Sequence, residues 1–162
     1  MFMMTDTTKE VAVNRSGDLF GPERHCAEAV AVAVLEALDR ESQQAAAHAT
    51  PFGGGFGRTF CEACGALSGG LIAIGHLHGR LDPGGDWDLP AELAAELRHR
   101  FVKEFGAVQC SVLRERFGQE AQMDECRKLV MGTTQLLLEI LGKESSGENA
   151  MDCDRAACSC GS

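Results

Sequence analysis

One segment constrains the fold more than any other. Residues 26–40, CAEAVAVAVLEALDR, are rich in Ala, Val and Leu, with charges mostly near the ends. A helix that is apolar around most of its surface must be buried on most of its faces. The rest of the chain therefore has to supply elements that cover it. Pro22 stands just ahead, where a first-turn proline is tolerated. Thr59-Phe60-Cys61-Glu62 reads as a capping box, a hydroxyl at the cap and a carboxylate three residues on. A second helix is predicted from Thr59 to about His78. AELAAELRHRFVKEF follows Pro90 and stops at Gly106. Ala107–Phe117 reads as a short helix that carries Cys110 and ends at Gly118. Asp124 then caps a last long helix that stops at Gly142. No segment alternates as a strand does, and the chain has no tyrosine. The expectation is an all-α, compact bundle of about four to five helices.

The ends differ from this body. Residues 1–17 are polar and finish in Ser16-Gly17, which predicts a flexible arm with a short extended piece at Val11–Val13. Residues 18–142 form the helical domain, and residues 143–162 read as a flexible, cysteine-rich tail. A 162-residue chain is most economically one domain. With 44% hydrophobic residues it can bury a core without disulfide staples. A net charge of −9 disfavours nucleic acid and anionic lipid as partners. No run approaches the roughly 20 apolar residues of a membrane span. The apolar stretch around Leu71 is broken by His76 and His78. MFMMTDTTKE has neither the basic nor the apolar region of a secretory signal, so the expected address is cytoplasmic. Thiols are usually reduced there, so eight cysteines point to metal or redox chemistry before structural disulfides.

Cys26, Cys61, Cys64 and Cys126 fall at or near predicted helix starts. Helix-start dipoles favour negative charge and lower a thiol's pKa. Converging starts would stabilise an anionic iron–sulfur cluster as they stabilise phosphate. A cysteine in an alanine-rich helix also serves simply as a small buried hydrophobe. Cys61-Glu62-Ala63-Cys64 is a CxxC, as in a dithiol pair, but no βαβ pattern surrounds it. Gly65 stands where a haem-attachment motif has histidine. Zinc is an alternative occupant, although zinc sites usually show two tight cysteine pairs. The tail holds Cys153, Cys158 and Cys160 within eight residues, enough for a second, soft-metal site. His25 precedes Cys26, while the two-residue spacing of His76 and His78 puts them on different helical faces. The glycine-rich stretch ATPFGGGFGR, residues 49–58, cannot be regular structure. Its backbone either turns with positive φ or approaches something closely.

Four blocks of the chain, in order, resemble the redox-active protein family named for its C–GCAxxG–C–C cysteine pattern. They are Cys26 in HCAEAV, Cys64-Gly65-Ala66 with Gly69 in CGALSGGLIAIG, Cys110 closing FVKEFGAVQC, and Cys126 opening CRKLVMGTTQLLLEIL. The resemblance covers about residues 20–141. The central block reads Cys-Gly-Ala where the family's name has Gly-Cys-Ala, and Cys61 is outside the four-cysteine pattern. The resemblance implies a helical domain with a redox-linked cysteine site. Through this domain the chain is similar to part of the split-Soret cytochromes, dimeric electron-transfer proteins with haem and an iron–sulfur centre. The chain lacks their CxxCH.

Several functions follow as expectations. The first is an electron-transfer or redox-accessory protein with an iron–sulfur cluster on Cys26, Cys64, Cys110 and Cys126, serving a redox partner protein. The second is a thiol–disulfide oxidoreductase with Cys61 and Cys64 as the catalytic pair and no cofactor. The third is a metal-delivery protein that uses the tail thiols. The last is a helical interaction protein whose cysteines are structural. The glycine-rich second helix also offers a face for a homodimer.

Overall fold

The structure, a computed structural model, describes residues 4–146. Its helices are α1 (Asp6–Leu19), α2 (Cys26–Ala37), α3 (Gln43–Ala49), α4 (Gly65–His78), α5 (Asp88–Phe105) and α6 (Cys110–Ser146). A 3-10 turn at Thr50–Phe52 follows α3. Among the described residues there is no strand, only isolated bridges at Phe20–Arg24 and Ala63–Gln109. The architecture is all-α, as the sequence patterns require.

The apolar segment is the central helix. Ala27 and every residue from Ala29 to Leu35 of α2 are buried. α1, α3, α4 and α6 surround it, with α4 packed most extensively. Gly69 makes that approach possible. A Cβ there would stand 2.2 Å from the Ala27 carbonyl oxygen, backbone against backbone. One residue on, a Cβ at Gly70 would stand 2.7 Å from Leu97 Cδ2 of α5. These glycines of α4 thus face neighbours within the chain. α5 buries Leu93, Leu97 and Phe101, four residues apart and so on one face. Gly106 ends it with φ 81°, the left-handed cap that glycine adopts without strain. α6 closes the core with Leu129, Val130, Leu137 and Leu138. Its buried Thr133 and Thr134 donate their hydroxyls to the Leu129 and Val130 carbonyls at 2.7 and 3.0 Å.

The structure departs from the sequence patterns in five places, one of them at the C-terminal end, where α6 runs to Ser146, past the expected stop at Gly142. The N-terminal segment is a helix, α1, packed on α2 and α6, and not a loose arm. Its buried residues are Ala12, Ser16 and Gly17, so close packing of small side chains leaves no hydrophobic stripe to read. Thr5 caps it by accepting from the Thr8 N–H at 3.2 Å, and Arg15 pairs with Glu36 at 3.0 Å. α3 stands where the patterns predict no helix. α4 begins at Gly65, not Thr59, because the preceding backbone is left-handed at Phe60 (φ 61°) and Ala63 then bridges to Gln109. Asp124 does not start a helix. Only Gly118, with φ 72° and ψ 164°, interrupts α6. The intervening Gln, Glu, Ala and Met are helix formers, so the second stretch starts earlier than a cap at 124 would require. Cys153, Cys158 and Cys160, the expected second metal site, lie outside the described residues.

Candidate functional site

Three helix starts meet at one end of the bundle. Cys26 is the first residue of α2, Cys64 is the N-cap of α4 and Cys110 is the first residue of α6. Cys126 reaches the same place from about two turns beyond the Gly118 break. All four line a single cavity of about 600 Å³. The helix-start set therefore differs from the expected one: Cys110 joins it, and Cys61 and Cys126 leave it.

Local backbone chemistry holds the thiols in place. The Cys64 N–H donates to the Val108 carbonyl at 2.7 Å, and the Cys110 N–H to the Glu62 carbonyl at 2.9 Å. These two bonds flank the Ala63–Gln109 bridge and lock the start of α4 to the start of α6. Gly65 allows Cys26 to lie against α4, since a Cβ there would stand 2.3 Å from Cys26 Sγ. Gly55 plays the same part for Cys110, whose Cβ would be 2.8 Å from a Cβ on that residue. The Glu28 carboxylate accepts from the His25 N–H at 3.1 Å and from the Thr50 hydroxyl at 2.7 Å, fastening the start of α2 to the 3-10 turn. The His25 ring lies on Gly53, where a Cβ would come within 2.7 Å of three ring atoms. Its Nε2 bonds the Thr50 carbonyl at 2.9 Å, and its buried Nδ1 has no partner.

The glycine-rich segment is a left-handed turn. Residues Gly54, Gly55, Phe56, Gly57 and Arg58 have φ between 60° and 64° in unbroken succession. The Gly57 N–H donates to the Pro51 carbonyl at 2.8 Å, and the Phe60 N–H to the Gly54 carbonyl at 2.9 Å. Non-glycine residues enter this region at a cost of roughly 1–2 kcal/mol each. Such strain concentrates at functional sites. Gly53, Gly54, Gly57, Arg58 and Phe60 contribute to the cavity wall.

Burial dominates the thiol electrostatics. It pushes the Cys64 thiol well up, and negative charge on Cys26 and Cys110 adds to the effect. Cys110 is raised by burial and by Cys26, with Arg114 acting in the opposite sense. Cys126 is pushed up to about 11 by burial, then by Cys26 and Cys110, again opposed by Arg114. At Cys64 and Cys110, both at helix starts, burial outweighs the favourable helix-start dipole. The cavity accordingly favours the protonated form of Cys64, Cys110 and Cys126 at neutral pH.

The other expected residues stand apart. Cys61 is exposed in the bend before α4, is not among the residues lining the cavity, and donates its thiol to the Thr59 carbonyl at 3.3 Å. His76 and His78 fall in the last turn of α4, away from the cavity lining. The five described cysteines are free thiols. Among the described residues, no three His, Cys, Asp or Glu side chains form a group that could hold a metal ion. Arg114 belongs to no motif that sequence reasoning singles out. Its one signal is its spacing: four residues after Cys110, it shares a helical face with that cysteine.

Thiols gathered from separate parts of the chain around one cavity define a helical protein with a multi-cysteine site. The pattern has a known counterpart. The family described as "Putative redox-active protein (C_GCAxxG_C_C)" matches residues 24–140, and the chain belongs to it. No curated protein and no solved structure matches the chain. No helix among the described residues is long and apolar enough to cross a membrane.

Proposed function

We propose that this protein binds an iron–sulfur cluster through Cys26, Cys64, Cys110 and Cys126 and exchanges electrons with a redox partner protein. One observation carries the reading: these four cysteines, dispersed along the sequence, line the same cavity. Their chemistry fits the group. Four thiols are the usual donor set of an iron–sulfur cluster, and soft thiolates select such soft metals. The cavity that the thiols line, about 600 Å³, has room for a group larger than one ion. When bound, the cluster would supply reversible one-electron chemistry. The chain's own part is to hold the four sulfurs, to release their protons on loading and to limit water with Phe20, Phe60 and Leu129. Anaerobic purification and reconstitution, followed by visible absorbance and iron and sulfide analysis, tests this. Coloured protein with iron and inorganic sulfide is expected. Colourless protein without iron after reconstitution would contradict it.

A second reading uses Cys61 and Cys64 as a dithiol pair. The exposure of Cys61 favours it, since the attacking thiol of such a pair must be accessible. Under this reading the Cys61 thiolate attacks a substrate disulfide and releases one substrate thiolate; Cys64, on losing its proton, then attacks the Cys61 sulfur of the mixed disulfide, forming a Cys61–Cys64 disulfide and releasing the second substrate thiolate. Cys61→Ser should abolish disulfide reduction. Wild-type activity in that variant would end this reading.

A further inference from the structure

We infer that Arg114 is the positioning residue that offsets negative charge in the four-thiol cavity, and that Phe60 holds it there. The inference rests on the multi-thiolate reading of the site and extends it to a residue outside the cysteine pattern.

Arg114 lines the cavity with the four cysteines. It stands four residues after Cys110, on the same face of α6. Arg24 and Arg58 also line the cavity, but among the described residues only Arg114 stacks on an aromatic ring. The guanidinium lies over the Phe60 ring, 3.7 Å from Cζ to the ring centroid. Such a stack restrains a long side chain and adds cation–π attraction. Phe60 itself has φ 61°, a conformation that a non-glycine residue rarely adopts. The left-handed segment therefore ends by placing an aromatic ring under the arginine.

The hydrogen bonding of Arg114 is incomplete. Its Nε is buried and has no partner. No carboxylate pairs with it among the ion pairs of the described residues. A buried donor without an acceptor carries a desolvation penalty. Beside this cation stand four groups that become anionic when their protons leave. A fixed cation next to thiolates stabilises them, and next to a redox centre it favours the reduced, more negative state.

The test compares Arg114→Gln, Arg114→Lys and Phe60→Leu with wild type in two measurements. The first is the midpoint potential of the anaerobically reconstituted protein, read with its iron content. Arg114→Gln should keep its iron yet favour the oxidised state at least tenfold more, a negative shift of about 59 mV for a one-electron couple. Arg114→Lys should recover part of that shift, and Phe60→Leu should shift in the same direction by less. The second measurement needs no cluster. Metal-free protein is alkylated with iodoacetate and, separately, with neutral iodoacetamide, and the rate at Cys126 is read by peptide mass. The ratio of the two rates reports local positive charge, because the thiol is common to both. It should fall severalfold in Arg114→Gln and stay unchanged at Cys61. A wild-type midpoint in Arg114→Gln overturns the proposal. If wild-type protein takes up no iron, the cluster reading fails and the alkylation ratio decides alone. An unchanged ratio at Cys126 then overturns the role of Arg114.

Discussion

The seam between α2 and α4 and the turn at residues 53–60 both depend on glycine, for opposite reasons. At the seam, Gly65 and Gly69 have ordinary helical backbone. They matter because a Cβ would strike Cys26 Sγ at 2.3 Å or the Ala27 carbonyl oxygen at 2.2 Å. In the turn, a Cβ on Gly57 would meet nothing within 4 Å, and the residue matters because its φ is 62°. The seam is a steric device that brings two helix starts together. The turn is a conformational device that wraps the cavity wall around them. The two should therefore respond differently to the same chemical change.

The largest effect is expected at the seam. Gly69→Val forces one backbone off another and should destabilise the protein by about 3 kcal/mol, the upper end for overpacking. Thermal unfolding should show a Tm lowered by roughly 10 °C, at about 2–4 °C per kcal/mol for a chain this size. Gly65→Ala should be milder in stability and more damaging to function. Its methyl group displaces the Cys26 thiol, so iron uptake should fall by most of its wild-type value while Tm falls less than in Gly69→Val. Gly57→Ala should cost about 1 kcal/mol of left-handed strain and leave iron content unchanged. If Gly57→Ala lost iron while Gly65→Ala kept it, the division between the two regions would be wrong.

The smallest effect is a pH dependence of the metal-free protein. Cys126 is raised from an ordinary 9.0 to about 11 by burial and neighbouring thiolates. A raised folded-state pKa contributes stability below the unfolded value and loses it as pH climbs through the folded one. Metal-free protein should therefore lose Tm between about pH 9 and 11, the span between those two values. Cys126→Ala should make that part of the profile shallower, with the raised Cys64 and Cys110 thiols keeping the rest of the slope.

The features legible in the sequence are those with large signals. The apolar run 26–40 requires a buried central helix, and Gly106 stops α5 where a glycine cap belongs. The cysteines of the four blocks do share one cavity. What escapes the sequence depends on contacts between small groups. α1 buries Ala12, Ser16 and Gly17, which leave no apolar periodicity. The Thr59–Glu62 capping box is a local match overridden by tertiary structure. The left-handed Phe60 and the Ala63–Gln109 bridge together delay α4 to Gly65. The place of Cys110 at a helix start, and that of Arg114 beside it, follow only from how the start of α6 meets the start of α4.

The most direct test of the central claim is iron and sulfide content after anaerobic reconstitution of five single Cys→Ser variants. Serine at Cys26, Cys64, Cys110 or Cys126 should each remove most of the bound iron, whereas Cys61→Ser should load as wild type does. Full loading in any of the first four, or loss in Cys61→Ser equal to theirs, would contradict a site built from those four thiols.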